Sequence, residues 1–229
     1  MEPPVFPVLA HRPGWSAIRQ WLRQGGVLGF PAEYAYALAE VPLWRTQEDK
    51  QRLYKIKGRP HGKPVLYLAG SLQVVARFAT LPGDPRRRRL LTDPPKFLTF
   101  LLPATPLARS LGMAKNGKVA FRIPPDPVLR QFLVFLDAPL SGTSLNPSGQ
   151  PPLTTPEDIR TVFPDLALVD GGFKPGFPVS PIVDLSTGER RVLRGSWRQF
   201  AFRIPGRLAR PLSEEKPRPP QILRTRQKF

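Results

Sequence analysis

Hydrophobic and polar positions recur along this chain in two periods, and the switches between them divide it into helices and strands. In Trp15-Ser-Ala-Ile-Arg-Gln-Trp-Leu-Arg-Gln24, Ile18, Trp21 and Leu22 fall at helical spacing, and Gly25-Gly26 ends the segment. Val27-Leu-Gly-Phe-Pro31 reads as a buried strand, followed by a loop carrying Glu33, Tyr34 and Tyr36. Thr46-Gln-Glu-Asp49 resembles a capping box that opens a helix running to Tyr54, after which Lys57 and Arg59 emerge on alternate positions. Pro64-Val-Leu-Tyr-Leu68 reads as a strand, and the residues after Ser71 as a helix burying Leu72, Val75 and Phe78. Further strands are expected at 97–102 and 118–123. Pro125-Asp-Pro-Val128 opens a helix that buries Val128, Leu129, Phe132 and Leu133, with proline tolerated in the first turn. Strand-like Leu140 leads into a turn spanning Thr143 to Gly149, and Pro156-Glu-Asp-Ile-Arg160 forms a short helix. Strands at 166–169, 182–185 and 191–193 complete the series. Alternating helices and strands imply an α/β domain layered on a mixed sheet.

From Arg198 onward the periodicity fades. Residues 198–229 hold nine Lys/Arg against two Glu, with five prolines, and cannot bury enough apolar surface to offset their ordering entropy. The chain is therefore divided into an N-terminal extension (1–13), one folded domain (14–196) and a basic, flexible C-terminal tail (197–229).

Charge changes the picture more than composition does. With 35 Lys+Arg against 17 Asp+Glu the formal net charge is +18, a field that attracts polyanions and makes their affinity salt-dependent. Arginine predominates, and a guanidinium forks onto phosphate as an ammonium cannot. Arg86, Arg87, Arg88 and Arg89 lie in a Pro/Gly-flanked loop and form a candidate RNA-facing patch. The expected polyanion is RNA, either tRNA or a double-stranded RNA. The absence of cysteine excludes disulfides and thiolate metal sites, and His11 and His61 lie far apart, so no metal site built from protein side chains is expected. No apolar run reaches membrane-spanning length and the N-terminus lacks a basic, then apolar, signal pattern, so a cytoplasmic protein without a membrane partner is expected.

Two short segments carry the chemistry. Lys57-Gly-Arg59 presents two long cations, and Ser144-Leu-Asn146 offers a hydroxyl and an amide two residues apart, together a device for holding a phosphate-bearing ligand. The first lies within Lys57-Gly-Arg-Pro-His-Gly-Lys-Pro64 and the second within Thr143-Ser-Leu-Asn-Pro-Ser-Gly149. Alongside them stand Gly25-Gly-Val-Leu-Gly-Phe-Pro-Ala-Glu-Tyr-Ala-Tyr-Ala-Leu38, Phe121-Arg-Ile-Pro-Pro-Asp-Pro127, Ile182-Val-Asp-Leu185 and Val192-Leu-Arg-Gly195. In this order and spacing they resemble the signature of the YrdC/TsaC/YciO family over residues 14–196.

That resemblance implies a YrdC-like twisted mixed sheet with helices around a positively charged concave cavity. It implies ATP as ligand or substrate, with or without Mg, and a reaction of ATP, threonine and bicarbonate giving threonylcarbamoyl-AMP and pyrophosphate for the tRNA modification threonylcarbamoyladenosine. Lys57, Arg59, Lys63, Ser144, Asn146 and Arg194 then fall at nucleotide- or phosphate-binding positions, and Glu33, Tyr34, Tyr36, Thr143 and Ser180 around the substrate pocket. Glu33 reads either as a general base or as a hydrogen-bonded structural acid, and Asp184 as a residue that organises Arg194 across adjacent strands. The chain departs from the family on the threonine side: hydroxyl positions become Ala32 and Tyr34, a histidine becomes Leu68, a threonine becomes Gly142, and Ser-Thr becomes Ser180-Pro181. The family's Trp-Pro-Gly-Pro loop is represented by Pro94-Pro-Lys-Phe97, before the retained Thr99. Two functions remain open: a nucleotide- and RNA-binding protein with an altered threonine pocket, or an active threonylcarbamoyl-AMP synthase, a nucleotidyltransferase.

Overall fold

The computed structural model describes residues 3–46, 52–58, 65–92, 98–176, 180–188 and 191–195. Arg59, Lys63, most of the expected capping box and the tail from residue 197 lie outside the described residues. The strands are β1 (Val5–Phe6), β2 (Leu28–Pro31), β3 (Tyr36–Ala39), β4 (Leu66–Leu68), β5 (Thr99–Pro103), β6 (Lys118–Arg122), β7 (Leu140–Ser144), β8 (Ala167–Val169), β9 (Ile182–Asp184) and β10 (Arg191–Arg194). They form one mixed sheet in the order β1-β8-β2-β3-β7-β4-β6-β5-β9-β10. The helices are α1 (Trp15–Arg23), α2 (Arg52–Lys57), α3 (Leu72–Phe78), α4 (Pro85–Thr92), α5 (Pro106–Ser110), α6 (Pro127–Leu136) and α7 (Pro156–Val162).

Three helices start from the same local chemistry. Thr105, Asp126 and Thr155 each accept a hydrogen bond from the backbone N–H three residues on, and each precedes a proline whose missing N–H costs the first turn nothing. Ser71 caps α3 in the same way without the proline.

Strand alternation then builds two layers on the β1–β3 half of the sheet. Leu28 and Phe30 of β2, Ala39 of β3 and Val169 of β8 face α1 and α6, while Tyr36, Leu38 and Leu168 face Leu53 of α2 and Ile159 of α7. Phe132 of α6 is fully buried, its ring 5.6 Å from both Trp15 and Phe30. Gly70 lets α6 pack directly on the chain after β4: a Cβ there would sit 2.4 Å from the backbone nitrogen of Val134.

The other half is covered differently. Tyr67, Phe100, Leu102, Val119, Phe121 and Val183 bury one face against α3, α4 and α5. Register places Leu66, Ala120 and Leu101 together on the opposite face, with Ile182 beside Thr99, and these four residues are only half-buried. That face is a shallow floor. Across it Lys118 of β6 meets Asp184 of β9 at 2.7 Å.

The structure corrects several expectations. Tyr36 begins β3 rather than lying in a loop; its neighbours are apolar on both sides of the strand, so no polar alternation marked them. The second helix extends through Lys57, and Thr143 and Ser144 close β7 instead of opening a turn. The Arg86–Arg89 run is helical in α4, consistent with arginine's good helix propensity once Pro85 starts the turn. Val128 is 37% exposed, lying on the outer side of α6. Residues set apart as an extension contribute β1, paired in parallel with β8, and place Phe6 and Leu9 in the core. The five-residue α5 was not expected from periodicity, although its Thr105-Pro106 start is the signal shared with α6 and α7.

Two stability measurements follow from this packing. Phe132→Ala is expected to cost about 3–5 kcal/mol, read from urea unfolding midpoints. Burial by itself raises the Asp184 carboxyl, but the Lys118 ammonium and the Ser186 backbone N–H outweigh it and leave the group below its ordinary value of 3.8. A depressed carboxylate contributes stability above its unfolded pKa and loses it as pH falls through the folded one. The midpoint difference between wild type and Asp184→Asn is therefore expected to shrink progressively below pH about 4.

Candidate functional site

Lys57 is the last residue of α2, one turn after the fully buried Leu53, so the helix delivers it inward. Gly58 adopts a φ of +59° and turns the chain away, a conformation glycine takes without strain. Although Lys57 is only 6% exposed, its Nζ is well solvated by protein oxygens. It donates to Thr143 Oγ1 at 3.1 Å, Ser144 Oγ at 3.0 Å and Asn146 Oδ1 at 3.0 Å, and to the Ser144 carbonyl. These four oxygens are neutral dipoles, which stabilise an ammonium without cancelling its charge.

The turn after β7 is fixed around that contact. The Asn146 amide donates to the carbonyls of Pro147 at 2.9 Å and Gln150 at 2.5 Å, which orients its oxygen towards Lys57. The Ser148 N–H donates to the Lys57 carbonyl at 3.2 Å, and the Leu145 N–H to the Tyr36 carbonyl at 2.8 Å. Lys57, Thr143, Ser144 and Asn146 are thus brought into one cluster, with Ser144 exposed at its rim.

A second group lies at the β5–β9 end. Ser180 Oγ sits 2.8 Å from Thr99 Oγ1, and the Ser180 carbonyl accepts from Arg194 Nε at 2.9 Å and Nη2 at 2.6 Å. Arg194 therefore reaches Ser180, whereas Asp184, expected to organise it, pairs with Lys118. The retained Thr99 is fully buried on the floor face, and nothing in its strand pattern separated it from its apolar neighbours.

Glu33 and Tyr34 belong to a third region. Glu33 forms a buried ion pair with Arg122, the last residue of β6, with side chains 7% and 10% exposed. Glu33 Oε1 and Arg122 Nε are buried without hydrogen-bond partners. Beside them a cavity of about 530 Å³ is lined by Leu9, Pro31, Tyr34, Pro125, Leu129 and Lys174, among others. Burial, and then the charge of Glu33, push the Tyr34 phenol up from its ordinary value. Tyr36 does not join this cavity: it is fully buried, donates to the Gly172 carbonyl at 3.0 Å and accepts from the Gly171 N–H at 2.9 Å. Burial dominates in raising its pKa as well. The sequence marks Arg122 only as part of a motif; the fold sets it against Glu33.

The arginine run divides by partner. Arg87 donates to the carbonyl of Leu185 at 2.6 Å and to that of Thr187, which ties α4 to the end of β9. Arg88 is exposed, and the side chains of Arg86 and Arg89 lie outside the described residues. Among the described residues no group of three His, Cys, Asp or Glu could hold a metal ion, and no helix is long and apolar enough to cross a membrane.

The Sua5/YciO/YrdC family model, described as telomere recombination, matches residues 20–196. The threonylcarbamoyl-AMP synthase of Cellvibrio japonicus is 32% identical over 171 residues, covering 73% of this chain and 89% of the relative. That of Xanthomonas axonopodis pv. citri is 34% identical over 152 residues, covering 66% and 79%. E. coli YciO has the same fold at a TM-score of 0.70 and 22% identity, covering 86% of this chain and 99% of the other. P. abyssi Sua5, complexed with L-threonine, gives a TM-score of 0.70 at 21% identity over 83% of this chain, which spans 56% of that protein's length. With the family model spanning most of the sequence and the fold matching E. coli YciO and P. abyssi Sua5 at TM-scores of 0.70, the chain belongs to the Sua5/YciO/YrdC family.

Proposed function

We propose that this protein binds ATP at the Lys57 cluster and serves the biosynthesis of threonylcarbamoyladenosine in tRNA as a nucleotide- and RNA-binding family member with an altered threonine subsite. The observation that carries this reading is the Lys57 ammonium, held at the end of β7 by Thr143, Ser144 and Asn146. An ammonium has three N–H donors, so Lys57 takes a phosphate oxygen by exchanging one of these neutral acceptors for a charged one, a stronger contact, and Ser144 at the rim can add a hydrogen bond. Arg59, Lys63 and Arg194 are assigned to the same polyphosphate by residue type. Any Mg arrives with the triphosphate, held by phosphate oxygens and water.

The altered subsite rests on four substitutions. Ala32 and Leu68 cannot hydrogen-bond through their side chains, Tyr34 brings a ring in place of a small hydroxyl, and Gly142 brings no side chain. An amino acid buried there would leave polar groups unpaired, at about 1–3 kcal/mol each. Glu33, committed to Arg122, is assigned a positioning role. The second reading, an active synthase, is favoured by the Thr99–Ser180 hydroxyl pair and by relatives at 32% and 34% identity named as threonylcarbamoyl-AMP synthases. The RNA partner is assigned from the +18 charge, with the tail of residues 197–229 contributing, in a cytoplasmic setting.

Lys57→Ala is expected to weaken ATP binding about tenfold or more by isothermal titration, with the variant's fold checked by circular dichroism. With ATP, bicarbonate and threonine, pyrophosphate release is expected to be no greater than without threonine. Threonine-dependent release accompanied by threonylcarbamoyl-AMP would overturn the altered-subsite reading and establish the synthase. RNA affinity is expected to fall steeply with salt, measured by filter binding across a salt series.

A further inference from the structure

Away from the Lys57 cluster, the outer surface of α1 and α6 carries a row of arginines laid on aromatic rings. The Arg12 guanidinium lies 5.6 Å from the Trp15 ring, that of Arg19 5.1 Å from Phe135, and that of Arg23 5.3 Å from Trp44. Arg19 and Arg23 are four residues apart and share one side of α1, and Arg12 enters from the preceding turn. Arg12 also donates to Gln131 of α6 and Phe135 lies on the same helix, so the row starts along the seam between the two helices and ends over Trp44, in the turn after β3. At 1.5 Å per residue α1 itself, from Trp15 to Arg23, spans roughly 12 Å, and Arg12 in the turn before it lengthens the row, enough to meet more than one phosphate.

Neither helix contains an acidic residue: α1 reads WSAIRQWLR and α6 PVLRQFLVFL. The acids that flank α6 are occupied, Asp126 accepting from the Leu129 N–H at 2.7 Å and Asp137 pairing with Arg77 at 3.3 Å. Arg130, exposed on the same helix, adds a further positive charge. Cation–π contact holds a guanidinium in place while leaving its charge intact, so less side-chain freedom is lost when an anion is bound.

We propose that the α1–α6 seam is the docking surface for the phosphate backbone of a structured RNA, with Arg12, Arg19 and Arg23 as its anchors. This rests on the RNA reading above and moves its centre away from the arginine run of α4, where Arg87 is tied to backbone carbonyls. An anionic membrane is disfavoured because the aromatic rings of the seam lie beneath the guanidiniums, and Val134 is the large apolar side chain that α6 exposes most.

The test uses the full chain and an unmodified tRNA transcript across a salt series. R12Q/R19Q/R23Q is compared with the charge-matched control R88Q/K115Q/R160Q and with R12K/R19K/R23K. The first variant is expected to lose affinity about tenfold or more and to flatten the dependence of log K on log salt by roughly two, while the control loses much less. The lysine variant is expected to keep the salt slope and lose part of the affinity, because the charge remains and the flat stacking does not. ATP binding is expected to be equal in all four proteins, which shows that each is folded. Equal losses in the two glutamine variants, or an unchanged slope in the first, would overturn the proposal. So would loss of binding to phosphatidylserine vesicles in the first variant with RNA affinity intact, which assigns the seam to membranes. If the wild type binds no RNA, the RNA reading fails with it; if only the seam variant behaves like wild type, the RNA reading stands and the surface lies elsewhere.

Discussion

The fold depends on β7. In the strand order it sits between β3 and β4, pairing antiparallel with both, and so joins the half of the sheet covered on two faces to the half covered on one. Its final residues are the oxygens that hold Lys57. Register along β7 is therefore also register at the site: a one-residue slip would invert every side chain of the strand and separate Thr143 and Ser144 from α2. Stability and the geometry of the Lys57 cluster are set by the same hydrogen-bonded ladder.

Two buried cations illustrate different solutions to one electrostatic problem. Lys57 is surrounded by hydroxyl, carbonyl and amide oxygens, whereas Arg122 is matched by the carboxylate of Glu33. Removing either charge from water is costly, and the protein compensates once with dipoles and once with an opposite charge. The first arrangement fixes the end of α2 on the end of β7. The second holds the β2–β3 connection against the end of β6, shaping the cavity beside Tyr34.

The +18 charge is also less uniform than a count suggests. Arg45 pairs with Glu40 at 2.5 Å and donates to the Leu111 carbonyl; Arg109 donates to the Ala104 carbonyl at 2.5 Å; Arg52 donates to the Gly25 carbonyl at 3.1 Å. Together with Arg87 and Arg194, these guanidiniums satisfy carbonyls at the ends of helices and strands. A planar donor with several N–H groups suits that work; Arg130 of α6 does the same at the Gly70 carbonyl, 3.2 Å away, whereas Arg12, Arg19 and Arg23 lie over aromatic rings.

Much of the local structure was legible in the amino-acid sequence. Proline in the first turn marked the start of α6 and the Ile18–Leu22 spacing marked α1, because such signals act within a few residues, and the order of Lys57-Gly-Arg59 and Ser144-Leu-Asn146 pointed to the family. The strand identity of Tyr36-Ala-Leu-Ala39 was not legible, since residues buried on both faces carry no polar alternation. Nor were the partners of Glu33, Asp184 and Arg87, which lie 89, 66 and 98 residues or so along the chain from Arg122, Lys118 and Leu185. Sequence determined which elements form and which chemistry they carry. Tertiary structure decided which charges remain available, because long-range strand pairing and packing, not local propensity, choose the partner of each buried charge.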